Sequence, residues 1–292
     1  MHKPWLYRYS LFVSAATFLL IVAGGLVTST GSGLSVPDWP LSYGKFFPPM
    51  VGGIRFEHSH RVIAGVVGIL ALALMILILL KEKDGLIRAF GVLAFISVVL
   101  QAVLGGLTVI YLLPTWISAF HACLGQTFFC LVASIALFTS REWPDDQVVQ
   151  SSEAGSIRRL LVVTTLFVYL QLILGSVIRH SEHASLKFHF LMAFLIALHV
   201  LFITFRVMSH EASRIRFASH AIFLSLAVMT QLFFGFGAYI YTRVLVKPIQ
   251  PTLAEVWLRT AHQTIGALIL AAVFTLMLRA MKYLKPAQQY ES

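Results

Sequence analysis

The fold is decided by the stretch EHSHRVIAGVVGILALALMILILL, residues 57–80, which joins a cluster of ionisable groups to an uninterrupted apolar run. A helix needs about 20 apolar residues to cross roughly 30 Å of hydrocarbon, and Arg61–Leu80 has that length. Ionisable side chains at a bilayer boundary are costly and mark functional sites. The stretch therefore predicts a membrane-spanning helix with a site at its start, where Glu57 and His60 share one helix face.

The composition excludes a soluble globular protein. Of the 292 residues, 58% are hydrophobic and only 12% are charged, whereas soluble domains carry about 25% charged residues. The net charge of +10 does not indicate nucleic-acid binding, because the basic residues are dispersed among short loops. We therefore predict an all-α membrane protein that binds no nucleic acid.

Eight apolar segments predict eight transmembrane helices, which puts both termini on the same side of the membrane. We place them at Ser10–Val27, Arg61–Leu80, Ala89–Ile110, Ile117–Phe138, Ile157–Ile178, Lys187–Phe205, Phe217–Tyr241 and Trp257–Leu278. Of the 22 Lys and Arg residues, 14 fall on the side of the termini and 8 on the other side. The positive-inside rule then predicts that both termini are cytoplasmic. The first outer connection, Thr28–His60, is long, and loops of that length are usually functional.

Histidines recur near the outer ends of the even-numbered spans and define an internal repeat. They are His60, His121, His189 and His262. Similar phrases accompany them: QAVLGGLT at 101–108 matches QLILGSVI at 171–178, with QLFFG at 231–235 as a weaker copy. HACLGQ at 121–126 likewise matches HQTIGA at 262–267 in the spacing of its small residues.

Two sets of four spans in the same orientation form a parallel repeat about an axis along the membrane normal. We therefore predict two pseudo-symmetric four-helix bundles, at residues 1–150 and 151–292, each with two histidines at one depth near the outer face. Helical bundles build cofactor sites from side chains on facing helices. Each predicted bundle thus carries one site made by a pair of histidines.

Two opposed histidines in an apolar bundle suit haem iron better than a bare metal ion. Zinc sites need three or four protein ligands, whereas a haem macrocycle supplies the ligands in its own plane. Glycines in the spans leave room for a flat ring, with close helix packing as the alternative reason for them. They are Gly24, Gly25, Gly65, Gly105, Gly106, Gly125, Gly175, Gly235 and Gly266. Outer arginines are candidate partners of haem propionates or else contact lipid headgroups. They are Arg61, Arg179, Arg243 and Arg259.

The two predicted sites differ in one acid. Glu57 lies three residues before His60, whereas the matching position before His189 is Leu186, and Glu182 lies seven residues away on a loop. A chain that only passed electrons between two haems would not need an acid beside one of them. We therefore predict a chemical role for Glu57 in the first site.

These residues resemble the haem A synthase family, which is also represented in mitochondria. The resemblance covers nearly the whole chain and rests on five features. They are GGLVTSTGSGL at 24–34, VPDWP at 36–40, EHSHR at 57–61, HACLGQ at 121–126 and the two C-terminal histidines. The resemblance implies oxidation of the ring D methyl group of haem O to a formyl group. The product, haem A, serves terminal oxidases, and the enzyme lies in the bacterial inner membrane.

The resemblance also implies a role for each site residue. His60 and His121 match the ligand pair of the substrate, haem O. His189 and His262 match the ligand pair of a haem b that relays electrons, and Glu57 matches the catalytic acid. The partners it implies are haem O, the haem O synthase that supplies it, a quinol or ferredoxin-type redox partner, the lipid bilayer and a second copy of the chain.

The chain departs from many bacterial members of that family in its cysteines. Those members carry a cysteine pair in the first outer loop and sometimes another in the third, whereas Thr28–His60 and Arg179–Lys187 contain none. The chain's two cysteines, Cys123 and Cys130, lie in one predicted span, where we expect small core side chains and no disulfide. The chain therefore resembles a cysteine-free branch.

Two other functions fit parts of the pattern. A di-haem cytochrome b that oxidises quinol would use two histidine pairs, but it predicts two permanent haem b groups and gives no reason for Glu57. A transporter would also have parallel repeats, but it predicts helix breaks near mid-membrane, whereas the polar residues cluster at one surface. Haem A synthase accounts for both the histidine pairs and the acid.

Overall fold

The computed structural model describes residues 3–144, 147–181, 186–245 and 249–287. Within them the chain forms α1 (Pro4–Ser29), α2 (Ile54–Lys81), α3 (Gly85–Ile110), α4 (Thr115–Thr139), α5 (Ala154–His180), α6 (Leu186–Ser209), α7 (Glu211–Tyr239) and α8 (Leu253–Tyr283). Eight helices in these ranges are long and apolar enough to cross a membrane. The predicted all-α membrane protein with eight spans is confirmed.

Several helices extend beyond the predicted spans. α2 begins at Ile54, so Glu57 and His60 lie in its first two turns. The prediction that the first outer loop runs to His60 was therefore wrong, since the loop ends at Gly53. α7 continues into a π-helical turn, Ile240–Val244. The loop predicted at 179–187 is shorter in the structure, because Arg179 belongs to α5 and Lys187 to α6. Glu182 lies outside the described residues.

Local signals explain where some of these helices begin. Pro4 occupies the first turn of α1, where its missing N–H needs no partner. The Asp84 side chain caps α3 by accepting hydrogen bonds from the N–H groups of Leu86 and Ile87. Helix α3 can therefore follow α2 after a connection of only three residues, 82–84.

Helices that follow one another along the chain pack together and close into two rings. In the first ring α1 contacts α2 and α4, and α3 contacts the same two helices. In the second ring α5 contacts α6 and α8, and α7 contacts the same two helices. The rings meet where α1 packs on α8 and where α4 packs on α5 and α8. The pseudo-symmetry of the rings and the domain boundary at residue 150 stay predictions.

Polar contacts join the two rings at the end opposite the first outer loop. Arg279 lies 3.2 Å from the Glu142 carboxylate, and the Tyr283 hydroxyl donates to the Glu142 carbonyl at 2.7 Å. Two short strands, β1 (Val149–Ser151) and β2 (Leu284–Pro286), pair in parallel beside them. We did not predict these strands, because three residues are too few to show a periodic pattern.

Candidate functional site: two histidine pairs

Each of the four predicted histidines lies against a glycine of the preceding helix. The pairs are Gly24 with His60, Gly105 with His121, Gly175 with His189 and Gly235 with His262. A Cβ atom added at any of these glycines would lie 2.7–3.3 Å from the nearest ring atom, inside the ordinary carbon contact of about 3.5–4.0 Å. Only glycine leaves this space. One helix-to-helix contact thus occurs four times, between α1 and α2, α3 and α4, α5 and α6, and α7 and α8.

This contact changes the interpretation of the glycines. The sequence left two reasons for them open, room for a flat cofactor ring and close helix packing. Side chains of this chain lie against eight of the nine glycines, whereas a Cβ added at Gly65 would meet no described atom within 4 Å. A Cβ added at Gly106 would be 2.8 Å from the indole of Trp39, and one at Gly125 would be 3.3 Å from the amide of Gln101. These glycines therefore orient side chains of the protein, which is a specific form of close helix packing.

Glutamines one turn before two of these glycines hold the histidine helices. Gln101 and Gln171 donate through Nε2 to the backbone carbonyls of His121 and His189, at 2.5 and 3.0 Å. A glutamine four residues before a glycine lies on the same helix face. The repeated QxxxG phrase is thereby explained, since its glutamine fixes the backbone of the histidine and its glycine receives the ring.

His189 and His262 face each other in the second ring of helices, with ring centroids 6.2 Å apart. The carbonyl of Gln231 accepts from Nδ1 of His262 at 3.2 Å, so Nε2 of that ring carries the lone pair. The Gln171 amide donates to Nε2 of His189 at 3.3 Å, which assigns the same tautomer there. Both imidazoles thus present the nitrogen that a metal binds.

The residues of this pair fit a haem iron. Two metal–nitrogen bonds of roughly 2 Å, with half a ring on either side, separate opposed imidazole centroids by about 6 Å. A bound iron would replace the Gln171 amide as the partner of His189. Among the described residues, no group of three or more His, Cys, Asp or Glu could hold a metal ion. A metal held here would need a ligand such as a macrocycle to complete its coordination.

His60 and His121 form the first pair and lie close enough for their charges to interact. Their Nδ1 atoms are buried and have no hydrogen-bond partner among the described residues. Buried polar atoms are normally paired, so each ring is held by packing on its glycine and by its neighbours. The ligand role of this pair stays a prediction.

Glu57 and Arg61 fasten the first outer loop to the start of α2. Glu57 is 3% exposed and accepts from Nη2 of Arg61 at 2.6 Å and from the N–H of Val36 at 2.9 Å. Nη1 of Arg61 donates to the carbonyls of Asp38 and Leu41, at 2.6 and 2.7 Å, and Nη2 reaches the Val36 carbonyl at 3.3 Å. Because the N–H groups of both terminal nitrogens already donate to the loop or to Glu57, Arg61 has only its Nε–H left to donate to a propionate.

The anchored loop packs on α3 beside the first pair. The indole of Trp39 lies on Gly106, the residue after the glycine that receives His121. The Asp38 carboxylate accepts from the N–H of Gly44 at 2.8 Å and of Tyr43 at 2.6 Å. These hydrogen bonds to the charged form hold the pKa of Asp38 below its ordinary value. The sequence analysis missed Trp39, although the VPDWP phrase contained it.

The other outer arginines have different surroundings. Arg259 lies 3.1 Å from the Glu255 carboxylate, and Arg243 is exposed on the π-helical turn. Arg179 lies between helices and donates to the hydroxyl of Ser29 at 2.8 Å. It has no carboxylate partner among the described residues, so it is the arginine best placed to bind an anion.

The second ring therefore has its own acid and arginine four residues apart, which the sequence analysis did not consider. Glu255 lies seven residues before His262, about 10 Å along the helix axis, whereas Glu57 lies one turn from His60. The signal was available as E-x-x-x-R in both helices. The acid one turn from a histidine remains a feature of the first pair.

The fold and these sites define a polytopic helical membrane protein with four histidines packed on glycines. Two of them, His189 and His262, face each other, and His60 lies one turn from the buried carboxylate of Glu57. A sequence profile of the cytochrome oxidase assembly protein family matches residues 7–52 and 54–188. The chain belongs to that family. The matched region includes Glu57, His60 and His121 and ends one residue before His189.

Curated relatives carry the name heme A synthase. One from Exiguobacterium sp. is 33% identical over 186 residues, covering 62% of this chain and 59% of its own. One from Exiguobacterium sibiricum is 30% identical over 176 residues, and one from Bacillus licheniformis is 32% identical over 180. Both of these matches cover 59% of this chain and 58% of the relative. The chain thus spans less than two thirds of each relative. The predicted family is confirmed, and the cysteine-free branch stays a prediction.

Proposed function

We propose that this protein is a haem A synthase, which oxidises the ring D methyl group of haem O to a formyl group. The observation that carries the proposal is the presence of two histidine pairs, each ring packed on a glycine, with a carboxylate one turn from a histidine of only the first pair. The names of the relatives support this reaction. The description of the family, cytochrome oxidase assembly, agrees with a product that serves terminal oxidases.

The first pair, His60 and His121, binds the substrate. Gly24 and Gly105 hold the two imidazoles by close contact, and Trp39 of the first outer loop packs on Gly106, next to Gly105. With both axial positions taken by histidine, the substrate iron has no free position for dioxygen. This favours water as the source of the formyl oxygen.

Glu57 acts as the base that accepts the proton released in the reaction. Both of its oxygens accept hydrogen bonds, from Arg61 and from the N–H of Val36, so it exchanges one of them to take a proton from the methyl group or from water. Arg61 keeps the carboxylate oriented meanwhile. Two such rounds, each releasing two electrons and two protons, convert the methyl group with two waters to a gem-diol, which loses one water to give the aldehyde.

The second pair, His189 and His262, holds a haem b, which when bound supplies one-electron transfer at that position. The Gln231 carbonyl fixes the tautomer of His262, and Gly175 and Gly235 fix the two rings. Residues 1–150 thus form the substrate half and residues 151–292 the relay half.

The protein is a multi-pass protein of a bacterial membrane in this proposal, with cytoplasmic termini and both sites near the outer face. Its electrons leave to a quinone-type or ferredoxin-type partner. Haem O synthase delivers the substrate, and a second copy of the chain is a further candidate partner.

Extraction and chromatographic identification of the haems from purified protein tests the proposal. Wild type is expected to hold haem b with haem O or haem A, whereas Glu57→Ala is expected to accumulate haem O or a partly oxidised form. Glu255→Ala is the matched control, because Glu255 also pairs with an arginine four residues on. Haem b alone in every variant would favour the quinol-oxidising cytochrome. Protein without any haem would refute the histidine sites.

A further inference from the structure

Arg179 stands where the two rings of helices meet. It lies at the end of α5, and its Nη2 donates to the hydroxyl of Ser29 at the end of α1, at 2.8 Å. The hydroxyl of Thr260 in α8 donates to the same Ser29 oxygen at 3.0 Å. Ser29 and Thr260 are 0% and 3% exposed. Three helices therefore converge on one guanidinium through two buried hydroxyls.

The guanidinium of Arg179 is a cation without a counter-charge among the described residues. It is partly buried, and Arg259 adds a like charge nearby. The nearby carboxylate, Glu255, is engaged with Arg259 at 3.1 Å. A partly buried cation with a like charge beside it is stabilised when an anion joins it. The junction thus has the chemistry of an anion site.

The anion site belongs to the second histidine pair. Arg179 follows Gly175, which receives the ring of His189, by four residues on α5 and therefore lies on the same helix face. The carbonyl of His180, the next residue of the chain, instead accepts from the Thr115 hydroxyl of α4 at 2.9 Å. Arg179 lies at the end of α5, on the outer side of its own half, where a carboxylate of a ligand between His189 and His262 would point.

We propose that Arg179 binds a carboxylate of the haem held by His189 and His262, with Ser29 and Thr260 fixing the guanidinium. This inference rests on the haem b site of the proposed function. Arginine suits the role because its planar fork binds a carboxylate through two parallel hydrogen bonds. Since Ser29 belongs to the first ring of helices, haem bound in the second ring also fastens the two rings together.

Reconstitution of haem-depleted protein with haem b and with its dimethyl ester tests the proposal. The ester keeps the iron and the macrocycle but has no free carboxylate. Wild type is expected to bind haem b at least about tenfold more tightly than the ester, the effect of one buried charge-assisted hydrogen bond. Arg179→Gln is expected to lose that preference, and Arg179→Lys to keep part of it. Arg214→Gln, an exposed arginine near the start of α7, is the control and should behave as wild type.

The reduction potential of the bound haem is a second readout. A nearby cation favours the ferrous form, so the potential is expected to fall in Arg179→Gln and not in Arg214→Gln. An equal preference for haem b over its ester in wild type and Arg179→Gln would overturn the proposal. If Arg179→Gln does not fold, the wild type alone decides: equal affinity for haem b and for its dimethyl ester would also overturn the proposal. Wild type that binds neither form would contradict the proposed function instead.

Discussion

Alanine at Gly235 tests whether the glycines position the histidines. Its Cβ would lie 2.7 Å from Cε1 and 3.0 Å from Nδ1 of His262, roughly 1 Å inside normal contact. The same Nδ1 donates to the Gln231 carbonyl at 3.2 Å. The ring must therefore move and lose this hydrogen bond, or α7 and α8 must separate.

The cost follows from these contacts. Overpacking of this kind costs about 1–3 kcal/mol, and a factor of ten corresponds to about 1.4 kcal/mol. If the cost falls on the haem-bound state, haem affinity at the second pair drops by about 5- to 150-fold. Gly105→Ala should cost less at the first pair, since its added Cβ would be 3.3 Å from His121.

Haem-to-protein ratio and the absorption spectrum of the purified variant measure this effect. Gly68→Ala is the matched control: it lies within helix α2, and an added Cβ there meets no described atom within 4 Å. Alanine at such a position should stabilise the helix by up to about 1 kcal/mol. Wild-type haem content and spectrum in Gly235→Ala, or an equal loss in Gly68→Ala, would refute the idea that these glycines position the histidine rings.

Two further predictions concern the first outer loop. Arg61→Gln removes the donors to Val36, Asp38 and Leu41, so limited proteolysis at 36–41 should quicken, whereas the exposed Arg55→Gln should leave it unchanged; equal resistance would show that other contacts hold the loop. The pKa of Asp38 is lowered from 3.8 in the folded protein. The carboxylate therefore stabilises the folded loop fully above pH 3.8, and this stabilisation is lost as the pH falls through the lowered pKa of the folded protein. The protease should cut the loop of Asp38→Asn faster than that of wild type at neutral pH, and the rate should no longer rise as the pH falls. A wild-type pH profile of proteolysis in that variant would contradict the role of the carboxylate.

The spans and the histidines were predictable because both leave regular signals in the sequence. The apolar run after Arg61 is long enough to cross a bilayer, and four histidines recur at matching positions. The start of α2 was missed for a physical reason. Hydropathy counts Glu57 and Arg61 as water-exposed, yet they pair with each other and with loop backbone, so the helix continues through them.

The packing of each histidine ring on a glycine was not predictable from sequence spacing. Each glycine and its histidine lie on different helices, and the chain between them varies: it is 36 residues from Gly24 to His60 but 14 from Gly175 to His189. No fixed motif can express a contact whose connecting loop differs each time. Trp39 on Gly106 depends likewise on the path of a long loop, which residue types alone do not determine.

Helix α1 stands between the two sites, and its adjacent glycines serve one site each. An added Cβ at Gly24 would meet the ring of His60, whereas one at Gly25 would meet Thr260 and Gln263 of α8, at 3.1 and 3.3 Å. Because Gln263 follows His262, a single helix separates the two histidine pairs. Side chains at these positions would push α2 and α8 away from α1. The double glycine therefore keeps the sites close, as the proposed relay of electrons between them requires.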